Sequence, residues 1–64
     1  MKLKEASIGT VIVPGAGWGS FSIPGYETFP EKLEVVAYAG EGVVCRPLGG
    51  GPEVSFYGEL QVQR

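Results

Sequence analysis

The sequence predicts an all-β fold, a small five-stranded barrel with a long loop after its first strand. Three observations lead there. Apolar and polar residues alternate with a period of two over 8–13, 33–39 and 53–62. Eleven Gly and five Pro make up a quarter of the 64 residues without a collagen-like repeat, which implies many turns and few helices. The longest Gly-free window, 26–39, carries β-branched neighbours rather than a helical stripe. An open sheet of five such short strands could not cover its apolar face, so the strands are expected to curl into a barrel.

Residues 1–6 are polar and are expected to form a flexible N-terminal arm, leaving 7–64 as a single domain. The first strand is expected over 7–14, with Ile8, Thr10 and Ile12 on one face and Val11 and Val13 on the other. Val13-Pro14-Gly15-Ala16 and Ile23-Pro24-Gly25-Tyr26 both fit a type II turn, Pro fixing the second position and Gly supplying positive φ at the third. They lie in a long loop, 14–31, in which Phe21 and Ile23 share a face. The next strand spans 32–40, with Leu33, Val35, Ala37 and Ala39 on one side and Glu34, Val36 and Tyr38 on the other. Gly40-Glu41 makes a tight hairpin to a strand over 42–48, and Gly49-Gly50-Gly51-Pro52 a second turn. From 53 onward Val54, Phe56, Leu60 and Val62 alternate with polar positions, and Gly58 marks a bend.

The order of strand, long loop, three strands joined by tight turns, a short helical turn and a last short strand resembles an SH3-like barrel. Residues 14–31 take the place of that family's long loop, and Tyr57-Gly58-Glu59-Leu60 the place of its single 3₁₀ turn. The Ala-Leu-Tyr-Asp-Tyr-like stretch of signalling SH3 domains is missing, and Trp18 lies in the long loop rather than opening the third strand. The resemblance therefore implies the barrel but not a groove for Pro-rich peptides.

Composition excludes several chemistries. The chain has no His, Asp or Asn, so no Ser-His-Asp or Cys-His pair can be built from one copy. One Cys and no His cannot make a structural zinc site, and calcium loops lack their usual ligands. No cofactor and no metal are expected. Cys45 stands alone and is read as a buried, inert thiol, and the absence of paired cysteines and of a leader-like apolar run points to the cytoplasm. No apolar run approaches the roughly 20 residues of a membrane helix. The net charge of −2 and the scattered cations disfavour nucleic acid as a partner.

The functional expectation is a non-enzymatic binding or adaptor module that contacts a protein through loop aromatics. Trp18, Tyr26, Glu27 and Phe29 of the long loop, with Tyr57, are the expected contact face, since aromatics among Gly and Pro offer large area at low entropy cost. For Trp18 and Tyr26 the alternative is a plug in the open end of the barrel, and for Phe29 the plug is the favoured role. Val36 and Tyr38, read as outward-facing, are the expected self-association surface of a homodimer. Two other classes stand beside this reading. Gly15-Ala16-Gly17-Trp18-Gly19 and Val54-Ser55-Phe56-Tyr57 are similar to stretches of type II dihydrofolate reductases, small SH3-like chains that share one active site across subunits. That resemblance implies an oligomeric enzyme, yet Ser55 stands where the family's substrate-binding Gln would be, and the Lys before its Gly-Ala stretch is Val or Pro here. Single-stranded nucleic acid stacking on the same aromatics is the third class.

Overall fold

A computed structural model of the chain describes residues 1–15, 18, 21, 23, 25 and 27–63. The fold is all-β. Its strands are β1 (Val11–Pro14), β2 (Leu33–Ala39), β3 (Gly42–Pro47), β4 (Val54–Tyr57) and β5 (Val62–Gln63). They form one antiparallel sheet in the order β4-β3-β2-β1-β5, and among the described residues no pairing of β4 with β5 closes it into a barrel.

The first strand is shorter than its sequence pattern. The Thr10 N–H donates to the Ser7 carbonyl at 3.1 Å, and Gly9 between them has a φ of +91°. This turn ends the strand before Ile8, which is left exposed, while Ile12 faces the core. The β2–β3 hairpin turns at Gly40 and Glu41 as expected, with Gly40 at a φ of +61° and Ala39 paired with Gly42.

Within β2 the register shifts between Val35 and Ala37, so the strand carries one residue more than β3 opposes. Before the shift Val35 pairs with Cys45, and both are buried. After it Ala37 pairs with Val44, and Tyr38 pairs with the buried Val43. Partners in a ladder share a face, so Tyr38 moves to the core side and no longer shares an outward face with Val36. Tyr38 is nevertheless 50% exposed, near the end of the strand, and Val36 is half-buried.

The N-terminal segment, expected to be loose, is packed. The Met1 carbonyl accepts from the Val62 N–H at 2.8 Å, and the Leu3 N–H donates to Leu60 at 2.7 Å. Lys2 bridges Gln61, so residues 1–3 cover the outer edge of β5. Leu3–Glu5 then makes a single 3₁₀ turn that buries Leu3 completely, and Ala6 is also buried. The Glu5 carboxylate accepts from the Lys2 N–H at 2.7 Å and holds that turn. Polar flanks hide the two apolar residues that fix the segment.

The core is Leu3, Ala6, Ile12, Trp18, Ile23, Leu33, Val35, Val43, Cys45, Phe56 and Val62. It joins the N-terminal turn, all five strands, and Trp18 and Ile23 of the long loop. Gly15 and Trp18 fasten the start of that loop to the Gln61 carbonyl, which accepts from the Gly15 N–H at 3.1 Å and from Trp18 Nε1 at 2.6 Å. A Cβ at Gly15 would stand 2.8 Å from that carbonyl oxygen, so only glycine lets the two backbones come this close.

Candidate functional site

Three loop aromatics, Trp18, Phe21 and Phe29, cluster on Phe56 of β4. The Trp18 ring centroid lies 5.0 Å from Phe56, 5.8 Å from Phe29 and 6.1 Å from Phe21. Phe21 and Phe29 meet Phe56 at 5.9 and 6.0 Å, both edge to face. Trp18 is buried, at 2% exposure, with its Nε1 bonded to the Gln61 carbonyl. Phe29 is half-buried against the core, whereas Glu27 is exposed. Tyr26 lies outside the described residues.

Tyr57 is the most open of the described aromatics, at 59% exposure. It leaves β4 beside a depression of about 270 Å³ that Tyr38, Val43, Glu41, Lys4 and Glu59 also line. The bulge in β2 is what brings Tyr38 to this depression, and the Tyr38 hydroxyl donates to the Ala6 carbonyl at 2.5 Å. Gly58 ties two of these residues together: its N–H donates to the Glu41 carbonyl at 3.2 Å, and its carbonyl accepts from the Lys4 N–H at 2.9 Å. A Cβ there would meet the Glu41 carbonyl at 2.9 Å and Lys4 Cβ at 3.0 Å. After β4 the chain makes a hydrogen-bonded turn, the Leu60 N–H donating to the Tyr57 carbonyl at 3.2 Å, rather than the 3₁₀ helix expected there.

Charge is laid out unevenly around this site. Glu59 accepts from both Lys2, at 2.8 Å, and Lys4. Hydrogen bonds from these two ammonium groups hold the Glu59 carboxyl down at about 2, and the Glu59 carboxylate in turn raises Lys2. Farther along the sheet Arg46 pairs with its cross-strand neighbour Glu34 at 3.0 Å. Sequence reasoning picked Tyr57 but missed Lys4, Glu41 and Glu59. Their meeting depends on a packed N-terminal segment that local polarity conceals.

A second depression, about 360 Å³, lies at the base of the long loop between Val13, Pro14, Pro30, Glu31 and Lys32. Burial pushes the Cys45 thiol up to about 11, away from nucleophilic use. Among the described residues no group of three His, Cys, Asp or Glu side chains could hold a metal ion, and no helix is long and apolar enough to cross a membrane. No family model, curated protein or solved structure matches the chain.

Proposed function

We propose that the chain is a small SH3-like binding module that contacts a protein partner through an aromatic face. The observation that supports this best is Tyr57, 59% exposed at the rim of a 270 Å³ depression that a second tyrosine, Tyr38, also lines. Exposed aromatic rings beside a shaped hollow offer the area and the amphipathic edge on which protein contacts are built. Glu41 and Glu27 stand exposed near the hairpin and in the loop, and Lys2 and Lys4 are tied to Glu59, so the rim presents both signs of charge. The reading also takes in Trp18, Tyr26, Glu27 and Phe29 of the long loop as contact residues. A reducing cytoplasm suits the single buried thiol of Cys45.

Affinity capture from the native host lysate tests the reading, with the parent compared against Tyr57→Ala and Glu27→Ala. One protein retained by the parent and lost with Tyr57→Ala is the expected result. Equal capture by Tyr57→Ala, or no capture at all, removes this face. Salt-sensitive retention of nucleic acid would replace the reading with stacking on a strand.

A further inference from the structure

The two edges of the sheet are treated differently. The outer edge of β5 is occupied by residues 1–3 of the same chain. The outer edge of β4 is not, and its pairing geometry shows which groups it presents. The Gly58 N–H donates to the Glu41 carbonyl, in line with the β3–β4 register that pairs Phe56 with Val43 and Val54 with Cys45. Hydrogen-bonded pairs alternate with non-bonded ones in an antiparallel ladder, so Val54 and Phe56 direct their backbone groups toward β3. Ser55 and Tyr57 direct theirs away from the sheet. Among the described residues, nothing bonds the Ser55 N–H, the Ser55 carbonyl or the Tyr57 N–H, and the Tyr57 carbonyl accepts from Leu60 alone. Val54–Tyr57 contains no charge, no proline and no bulge to block a second strand.

We infer that β4 pairs antiparallel with β4 of a second copy of this chain, about a two-fold axis at Ser55. The inference goes beyond the partner face at Tyr57 and does not depend on it. The self-complementarity of the edge selects the occupant. In this register each Ser55 N–H donates to the partner's Ser55 carbonyl, and each Tyr57 N–H to the carbonyl of the partner's Glu53. Val54 then faces the partner's Phe56 on the core side, and Tyr57 faces the partner's Glu53 on the outer side, so every pair joins like faces and no like charges oppose. Sliding one strand two residues one way sets Val54 against the partner's Gly58, where the chain already turns away from the strand. Sliding it the other way draws in Gly51, whose φ of +141° departs from strand geometry. The Ser55-centred register alone avoids both.

Sedimentation and amide hydrogen exchange on the full chain, from about 10 μM to about 1 mM, test the pairing by mass action. The expected result is a dimer at the upper end whose Ser55 and Tyr57 amides gain protection as concentration rises. Ser55→Lys places like charges at the axis and is expected to weaken dimerisation roughly tenfold or more while leaving the fold intact at low concentration. Should that variant fail to fold, the amide readout on the parent decides. A monomer throughout the range overturns the inference. So does a dimer whose Ser55 and Tyr57 amides exchange at the monomer's rate, a result that would move the contact to another surface.

Discussion

Two aromatic side chains in this chain call for opposite outcomes. Trp18 is buried against Phe56 and its Nε1 donates to the Gln61 carbonyl, so Trp18→Ala removes both a large packed volume and a satisfied donor. Such truncations cost about 3–5 kcal/mol, much of the total stability of a domain this small. A far-UV spectrum and a urea melt are expected to show Trp18→Ala largely unfolded, whereas Tyr57→Ala stays within about 0.5 kcal/mol of the parent because its side chain is open to water. Gly15→Ala is expected to lower the melting temperature for a backbone reason, since the new Cβ would lie 2.8 Å from the Gln61 carbonyl; overpacking of this kind costs about 1–3 kcal/mol. Cys45 is predicted to resist a thiol reagent at pH 8 in the folded chain and to react once urea unfolds it. Rapid labelling without unfolding would contradict its burial.

At the level of elements, β2, the β2–β3 hairpin and β4 were legible in the sequence because their period-two patterns and Gly turns are local signals. The bulge at Val35/Ala37 was not, because Val36, Ala37 and Tyr38 continue an alternation that either phase can satisfy; only pairing with β3 selects the break. The N-terminal segment was misread for a related reason. Leu3 and Ala6 are two apolar residues among polar ones, and their burial depends on partners near residue 60. The candidate site was legible at Tyr57 and, as an outward-facing aromatic, at Tyr38, whereas Lys4, Glu41 and Glu59 are distant in sequence and meet through Gly58. Leu3→Ala is therefore expected to destabilise by about 2–5 kcal/mol, as a core substitution does, measured by urea unfolding. A near-zero effect would restore the loose arm.

For the whole molecule, the pH dependence of stability has a definite sign. Glu59 is held at about 2, below its ordinary 4.5, by Lys2 and Lys4. Its contribution is present above pH 4.5 and is lost as pH falls toward 2, because protonation breaks the pairing. The Glu59→Gln variant is expected to show a shallower loss of melting temperature over that window than the parent, and an unchanged slope would sever the link. The join of residues 1–3 to residues 60–62 also has a consequence in time. The β2–β3–β4 meander closes short loops, but the Leu3–Leu60 and Trp18–Gln61 contacts cannot form until ends far apart along the chain have met. Sealing is thus the late, downhill stretch of the folding path, after the barrier has been crossed on the meander. In stopped-flow experiments Leu3→Ala should accelerate unfolding while leaving the refolding rate nearly unchanged, so the N-terminal segment governs how long the native state lasts rather than how quickly it is reached.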